Sequence, residues 1–258
     1  MTSPLFFGDP RAIAHAAPGD ELVVDGDEGR HAVTVKRLAA GEPVLVADGA
    51  GVVVEGVVTG ARGKDELIVE VREVVRHQSP SPHITVVQAL IKGERMERAI
   101  EAMTEAGVDR IVLWQAQRAI VRLTGDGRDR LVHKLRSKAQ QAAKQARRAW
   151  VPVIEFAGDT EVAISSTADS DVRLALHEQA SGSLAEVLPA TSMAGVSIDG
   201  VALIVGPEGG ISPAELDEFA AAGVIPVRMG PEVLRSSTAG TVALGWVMGA
   251  TGRWTVGD

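Results

Sequence analysis

Short apolar runs rich in valine, separated by glycine and aspartate, recur through the first 76 residues of the chain. Runs of this length and composition are typical of β-strands, and the intervening residues are typical of turns. The pattern predicts a small antiparallel barrel or sheet, with one helix near His31–Ala39. The predicted strands are Glu21–Val24, Pro43–Ala47, Val52–Thr59 and Leu67–Val75.

The pattern changes after Gln78–Pro82, a segment whose two prolines disfavour both helix and strand pairing. Beyond it, continuous apolar runs alternate with stretches of helical spacing, which predicts a mainly parallel sheet covered by helices. We therefore expect a domain over residues 1–77, a linker over 78–82 and a second domain over 83–258. Its predicted strands are Ile84–Leu90, Asp109–Trp114, Val172–Leu176, Val201–Val205 and Val224–Met229, and its predicted helices Glu94–Ala106, Arg128–Trp150, Pro213–Ala222 and Ser236–Met248.

Composition places the chain among ordinary globular proteins, since 45% of its 258 residues are hydrophobic and 23% are charged. It contains no cysteine, which excludes disulfides and thiolate zinc sites and favours a reducing compartment. The first ten residues lack the pattern of a signal peptide, and no apolar run approaches the roughly 18 residues that span a bilayer. We expect a soluble protein in the cytoplasm.

Charge is segregated along the chain. The net charge is −8, yet Arg118–Arg148 carries ten basic residues opposed only by Asp126 and Asp129. Such a positive stretch favours binding of phosphate groups, as in RNA, although a solvated helix face is the alternative. Aromatic residues are few (four Phe, four Trp and no Tyr), which argues against stacking of successive bases on aromatic platforms.

The first loop with chemical potential follows the apolar run Val201–Val205 and reads GPEGGIS over residues 206–212. Glycines at this density expose backbone amides and let a flat ligand approach the main chain. The loop matches neither a phosphate-binding loop nor a dinucleotide-binding fingerprint. A plain turn is the alternative, but two adjacent glycines after Pro-Glu exceed what a turn needs, so the loop predicts a ligand site.

Two more loops follow predicted strands, where ligands bind in parallel sheets. One runs from Met229 through a Gly-Pro turn into a helix that we expect Ser236 or Ser237 to cap. That helix is rich in small residues, which permits close packing against another segment. The other is LHEQ over residues 176–179; no second histidine stands at ligand spacing on the same element, so we expect no metal site.

Together, the LHEQ strand end, the GPEGGIS loop and the MGPEVLRSSTAGTVAL segment resemble the RsmE family of the SPOUT superfamily. The similarity extends over nearly the whole chain. It includes Lys92–Glu97, Glu105–Val108, Trp114-Gln115 with Arg118, and the end of the basic helix. In the N-terminal segment, His31 and Arg37 fit a family pattern of His-x-x-x-Val-x-Arg type.

The resemblance implies an α/β fold, with a SPOUT-type trefoil-knot methyltransferase domain behind an N-terminal PUA-like β-barrel domain. It further implies a homodimer that methylates N3 of a uridine in 16S ribosomal RNA of the small subunit, expected at uridine 1498. The implied cofactor is S-adenosyl-L-methionine. Its implied binding residues are Leu176, His177, Glu178, Val205, Gly206, Pro207, Glu208, Gly209, Gly210, Ile211, Met229, Gly230, Leu234, Ser236 and Thr238.

The implied RNA-binding residues are mostly basic and are spread over both predicted domains. They are His31, Arg37, Lys92, Arg95, Arg118, Lys134, Lys138, Gln145 and Arg148. Contacts within the dimer are the alternative role for the last five of these, from Arg118 to Arg148. The chain departs from the family pattern at two positions. Ser237 replaces a glutamate that is common in relatives, and Ala102 stands where relatives often have lysine. Neither change touches the glycines, but the loss of the glutamate removes one candidate base.

Methylation at N3 requires loss of the imide proton and in-line attack on the sulfonium methyl group, a task of alignment that needs no metal. Because N3 lies on the Watson–Crick edge, the target base must be unpaired or flipped out. Arg235 is the first catalytic candidate, since it would stabilise negative charge on the uracil oxygens. A salt bridge to Glu232 or a loop anchor is its alternative role. Glu208 and His177 are further candidates for the base.

Three alternative functions are each disfavoured by one feature of the sequence. A ribose 2′-hydroxyl methyltransferase of the SpoU type would carry an Asn-containing motif that this chain lacks. A non-catalytic RNA-binding or ribosome assembly factor would have no use for the Gly206–Gly210 loop. A nucleotide-dependent α/β enzyme would carry one of the phosphate fingerprints, and neither is present.

Overall fold

A computed structural model of the chain describes residues 3–187 and 198–255. The chain folds into two units. The first comprises Met1–Ser79 together with Gln140–Val151, and the second comprises Pro80–Ala139 and Pro152–Asp258. The segment Gln140–Val151 therefore packs with the first unit, although it lies far beyond the predicted linker in sequence. Within the described ranges, no helix is long and apolar enough to cross a membrane.

The first unit is built on a five-stranded mixed sheet with the strand order β1-β3-β4-β5-β2. Every pairing is antiparallel except that of β1 with β3, so the antiparallel prediction is wrong for β1, a three-residue strand that the sequence pattern missed. Val and Leu side chains alternate inward along the strands and form the core of this unit. The strands are β1 Leu5–Phe7, β2 Glu21–Val24, β3 Pro43–Ala47, β4 Val52–Arg62 and β5 Glu66–Arg76.

Two short helices and a π-helix accompany this sheet. Helix α1 (Pro10–His15) begins at Asp9, whose side chain accepts a hydrogen bond from the Arg11 amide, with proline in the first turn. Helix α2 (Gly26–Arg30) leads directly into the π-helix His31–Lys36. The predicted helix near His31–Ala39 is thus present as a π-helix, with more residues per turn than an α-helix, and it ends at Arg37 in the left-handed conformation.

The second unit contains a six-stranded sheet in the order β11-β9-β10-β6-β7-β8, and its neighbouring strands pair in parallel, in agreement with the mainly parallel sheet predicted. The central strands are buried on both faces, because helices cover both sides. Strand β8 was not predicted from the sequence pattern. The strands are β6 His83–Ala89, β7 Arg110–Trp114, β8 Val153–Ala157, β9 Val172–Leu176, β10 Gly200–Val205 and β11 Ile225–Val227.

The four helices predicted for this part of the chain are present, but their ends differ from the predictions. The basic helix stops at Gln145 rather than Trp150, because the backbone turns back at Arg147 and the Arg148 amide donates to the Ala143 carbonyl oxygen. The short α5 was not predicted. The helices are α3 Glu94–Ala106, α4 Gly125–Gln145, α5 Thr160–Ser165, α6 Pro213–Ala221 and α7 Ser236–Ala250.

Helix α7 begins differently from the prediction. Its N-cap residue is Arg235 in an extended conformation, and no side chain caps the helix there. The expectation that Ser236 or Ser237 caps it is wrong, because the Ser236 hydroxyl is engaged in other hydrogen bonds described below. The predicted caps of the other two helices are confirmed: Gly107 ends α3 with a φ of 107°, and Ser212 caps α6.

Candidate active site

A pocket of about 890 Å³ lies at the carboxyl ends of three neighbouring strands of the second unit. Leu176 at the end of β9 is in register with Val205 of β10 on one side and with Val227 of β11 on the other. The loops that follow these strands therefore leave the sheet at one level and meet. This is the edge at which ligands bind in parallel sheets, and the volume suits a nucleoside-sized ligand.

The loop after β10 forms one wall of the pocket with its main chain. A Cβ atom on Gly206 would lie 2.7 Å from Cγ1 of Ile211, and a Cβ atom on Gly209 would lie 3.1 Å from the carbonyl oxygen of Arg118. Gly210 has a φ of 72°, a conformation that residues with side chains rarely adopt. The three glycines are therefore required by the close approach and turn of the chain. The wall that results suits a flat ligand held by backbone groups.

A chain of hydrogen bonds joins this loop to α7 and to β6. The Ser236 hydroxyl donates to the carbonyl oxygen of Gly206 at 2.6 Å, and it accepts from Nε2 of Gln88 at 3.0 Å. Gln88 is wholly buried at the end of β6, and a Cβ atom on Gly240 would lie 3.3 Å from its Oε1 atom. These bonds fix the start of the glycine loop against the helix that follows the Met229–Arg235 segment.

A second anchor lies at the start of α6. Ser212 and Glu215 form a capping box, in which each side chain accepts a hydrogen bond from the backbone amide of the other residue. Glu215 is wholly buried, and its carboxylate also accepts from the Gln117 amide at 2.7 Å and from the Thr160 hydroxyl at 3.2 Å. The loop that carries Arg118 is thereby tied to the glycine loop.

Charged side chains surround the pocket. Arg95 of α3 lies 3.8 Å from Glu208 of the glycine loop, both partly exposed, so this ion pair is weak. Arg118 reaches the Gly209 carbonyl oxygen at 3.4 Å, while Arg235, Glu208 and His177 also line the pocket. All three predicted catalytic residues are therefore brought together.

Most of the residues predicted to bind the cofactor line this pocket, whereas Gly230 and Thr238 are not among its lining residues. Thr238 is exposed in the first turn of α7. Those that line it are Leu176, His177, Glu178, Val205, Gly206, Pro207, Glu208, Gly209, Gly210, Ile211, Met229, Leu234 and Ser236.

The residues predicted to bind RNA are dispersed. Arg95 and Arg118 line the pocket, and Lys92 lines a smaller neighbouring one that Arg95 shares. Lys134 and Lys138 pair with Glu97 and Glu101 of α3, at distances of 2.6 Å and 3.0 Å for the closest contacts. The positive charge of the basic helix is therefore partly balanced by acidic residues that lie elsewhere in sequence. His31, Arg37, Gln145 and Arg148 belong to the first unit.

His31 lies in a polar cluster within the first unit. Lys144 is mostly buried, its Nζ atom is 2.7 Å from Oε2 of Glu28, and it lies 4.6 Å from the centre of the Phe6 ring. Burial lowers the pKa of His31 below its usual value of 6.5, and the nearby charge of Lys144 lowers it further. The surroundings of His31 therefore favour the neutral imidazole over the charged form.

Gln88 and Glu215 were not predicted from the sequence, although both hold the pocket in place. The Ser212-Pro-Ala-Glu215 spacing is a capping-box signature and would have drawn attention to Glu215. Gln88 lies within an apolar strand, and Ser236, its side-chain partner, is distant in sequence, so no local signal marks it. Within residues 3–187 and 198–255, no group of three or more His, Cys, Asp or Glu residues is arranged to hold a metal ion.

Comparisons with known proteins agree on one family. A family model described as an RNA methyltransferase domain matches residues 77–248, and one described as an RNA methyltransferase PUA domain matches residues 24–72. A curated relative from Mycobacterium bovis, named ribosomal RNA small subunit methyltransferase E, is 41% identical over 258 residues, covering 98% of this chain and 94% of the relative.

Two solved structures share the fold along nearly the whole chain. A Legionella pneumophila protein in complex with the bound cofactor S-adenosylmethionine superposes with a TM-score of 0.83 at 25% identity, covering 97% of this chain and 98% of that one. A ribosomal RNA small subunit methyltransferase E from Neisseria gonorrhoeae, bound to S-adenosylmethionine, has a TM-score of 0.82 at 22% identity, covering 96% and 98%.

Proposed function

Because this chain belongs to the RsmE family of ribosomal RNA small subunit methyltransferases, we propose that it transfers the methyl group of S-adenosylmethionine to small-subunit ribosomal RNA. The observation that carries the proposal is the pocket at the ends of β9, β10 and β11, with one wall made of glycine main chain. Two structural neighbours hold the same cofactor.

The residues of the pocket fit such a cofactor. The backbone of Gly206–Ile211 would accommodate the flat adenine, and apolar side chains such as Leu176 and Met229 would offer it a surface of low polarity. Backbone amides and carbonyl oxygens of the three loops are the groups that would hold the ribose and the methionine portion. When bound, the cofactor supplies an activated methyl group on a sulfonium. The protein must align the acceptor atom with the methyl group and accept the proton that the acceptor loses.

We propose N3 of a uridine in 16S ribosomal RNA as the acceptor, at position 1498. Arg235 is placed at the pocket, where its guanidinium would stabilise negative charge on the uracil oxygens as the N3 proton leaves. The carboxylate of Glu208 and the imidazole of His177 are the two lining groups that can accept that proton. Glu208 lies within reach of Arg95, which would orient it.

The RNA would be held by residues of both units. Arg95, Arg118 and Lys92 surround the pocket and would bind phosphates next to the target nucleotide. Lys134 and Lys138 would have to exchange their present carboxylate partners for phosphate. His31, Arg37, Gln145 and Arg148, all in the first unit, would make further contacts with RNA. We propose that residues 1–77 and 83–258 are the two domains and that residues 78–82 are the linker between them.

Three further properties are part of the proposal. Residues 83–258 would contain the trefoil knot, with the segments around Gly206 and Arg235 threaded against each other, as the Ser236–Gly206 hydrogen bond supports. The protein would act as a homodimer, and the exposed Val242 with the small residues of α7 offers a surface for it. Its place of action would be the cytoplasm, where ribosomal subunits are assembled.

The test is transfer of labelled methyl groups from S-adenosylmethionine to unmodified small-subunit ribosomal RNA, offered both free and as assembled subunits. We expect incorporation, and mass spectrometry of the digested nucleosides should identify N3-methyluridine. Methylation found on a ribose would overturn the N3 assignment while keeping the class. Tight RNA binding without any incorporation or cofactor binding would instead identify a non-catalytic assembly factor.

A further inference from the structure

The carboxylate of Glu215 makes more hydrogen bonds than the start of a helix requires. A capping box uses one side-chain oxygen at this position, and here Oε2 fills that role by accepting from the Ser212 amide at 2.9 Å. The other oxygen, Oε1, accepts from the Gln117 amide at 2.7 Å and from the Thr160 hydroxyl at 3.2 Å. Since the side chain is wholly buried, these bonds hold a polar group that is costly to leave unpaired.

The donors to Glu215 come from three different segments. Gln117 follows β7, Thr160 begins α5 after β8, and Ser212 follows β10. One carboxylate therefore ties together three segments at the carboxyl edge of the sheet, where the pocket lies. The Ser212 hydroxyl adds a further link by donating to Oε1 of Gln117 at 2.9 Å.

The residue that gains from this arrangement is Arg118. The main chain of Arg118 packs against the glycine loop. A Cβ atom on Gly209 would lie only 3.1 Å from the carbonyl oxygen of Arg118. Its guanidinium lies 3.4 Å from the Gly209 carbonyl oxygen and lines the pocket. Among the residues that the structure describes, no carboxylate forms an ion pair with Arg118. Its charge is therefore available to an anion.

The rest of the loop that carries Arg118 is held independently of any ligand. Oε1 of Gln115 accepts a hydrogen bond from the Leu123 amide at 2.7 Å, and the Arg122 guanidinium donates to the Gln117 carbonyl oxygen. Both ends of the loop and the Gln117 amide are therefore fixed. The Arg118 side chain is the part of the loop that can adjust to bind a ligand. A guanidinium presented from a rigid loop loses little entropy when it binds a phosphate.

We propose that Glu215 is a positioning residue that holds Arg118 at the edge of the pocket, where the guanidinium binds a phosphate of the RNA substrate. This inference rests on the proposed function. Glu215 itself touches neither RNA nor cofactor and acts through the Gln117 amide. Loss of its carboxylate displaces Arg118. It therefore weakens RNA binding in a protein that has Arg118 and has no effect in a variant from which Arg118 has been removed.

The test is a double-mutant cycle of Glu215→Gln and Arg118→Ala on the full-length protein. The dissociation constant of a small-subunit ribosomal RNA fragment is measured with S-adenosylhomocysteine present, so that no turnover occurs. We expect Arg118→Ala to weaken RNA binding about tenfold, Glu215→Gln to weaken it several-fold, and the double variant to match Arg118→Ala. Glu218→Gln, an equal change of charge on the exposed side of α6, should have no effect.

The salt dependence of binding distinguishes positioning from a general loss of structure. Loss of one phosphate contact lowers the slope of log K against log salt by about 0.7 for single-stranded RNA. Glu215→Gln should lower the slope as Arg118→Ala does, because the same phosphate contact is lost in both variants. The inference would be overturned if the fold-changes in the RNA dissociation constant caused by the two substitutions multiplied in the double variant. An unchanged salt-dependence slope in Glu215→Gln would overturn it as well.

Thr160→Val provides a milder variant if Glu215→Gln does not fold, because it removes one donor and leaves the carboxylate in place. We expect it to weaken RNA binding two- to threefold (about 0.5 kcal/mol) only when Arg118 is present; equal binding would contradict the proposal. The methyl-transfer assay on the unaltered protein keeps the two claims separate. A failure there, with the cycle as expected, would overturn the methylation proposal and leave the positioning role standing.

Discussion

The hydroxyl of Ser236 donates a 2.6 Å hydrogen bond to the carbonyl oxygen of Gly206, although the two residues lie 30 positions apart. This bond joins the first residue of the glycine loop to the first residue of α7, and the Gln88 amide completes the link from β6. The buried side chain of Ser236 thus holds the pocket wall, whereas its position in the sequence predicts a helix cap.

Replacing Ser236 with alanine removes the donor to Gly206 and the acceptor for Gln88, both in a buried setting. We expect the free energy of unfolding to fall by about 1–3 kcal/mol and the affinity for S-adenosylmethionine to fall with it. Denaturant titration and calorimetric binding measure the two effects. Ser165→Ala, which removes an exposed hydroxyl from α5, serves as the control and should change stability by less than about 0.5 kcal/mol. Equal behaviour of the two variants would contradict this account of the wall.

Replacing Gly206 with alanine would place a Cβ atom 2.7 Å from Cγ1 of Ile211 and 3.3 Å from its amide nitrogen. The loop must shift to relieve this contact, at a cost of about 1–3 kcal/mol. We expect S-adenosylmethionine to bind at least about tenfold more weakly. Gly60→Ala is the matched control, since nothing lies within 4 Å of its added atom. Unchanged affinity in Gly206→Ala would show that the loop need not approach a ligand closely.

Replacing Arg235 with alanine tests its proposed catalytic role. If the guanidinium stabilises charge that develops on the uracil, kcat should fall by about 10²–10³ while cofactor affinity is kept. Steady-state methyl transfer at saturating RNA measures the first quantity and calorimetry the second. Normal turnover with cofactor binding intact would remove Arg235 from the mechanism. Loss of cofactor binding would instead make it an anchor of the loop.

The pKa of His31 is lowered, chiefly by burial and then by Lys144, so the folded state favours the neutral imidazole. Between the lowered pKa and the ordinary value of 6.5, the unfolded chain binds more protons than the folded one. The stability that His31 contributes is therefore present above pH 6.5 and is lost as the pH falls through the folded pKa. Melting temperatures across that window should decline less in His31→Gln than in the unaltered protein. Parallel decline in both would contradict the assignment.

The main elements followed from the sequence because their signals are local. Apolar runs marked the parallel strands, and the glycine loop, the LHEQ strand end and the segment around Arg235 led to the RsmE family and its fold, both of which are confirmed. Strand β1 was missed because it has only three residues, whereas β8 was missed although its alternating exposure is typical of a strand.

The features missed from the sequence depend on side chains brought together by folding. Gln88 meets Ser236 across 148 positions, and Glu215 meets Gln117 across 98. The basic helix looked unopposed in sequence, yet Glu97 pairs with Lys134 from another helix. Periodicity cannot reveal such pairs, because each partner is ordinary in its own segment.

The central claim is that the pocket binds S-adenosylmethionine, and isothermal titration of the purified protein tests it most directly, with ATP and NAD as controls. We predict selective binding of S-adenosylmethionine that is lost in Gly209→Val, whose side chain would collide with the Arg118 main chain. No binding by a well-folded protein, or equal binding of the three ligands, would contradict the account.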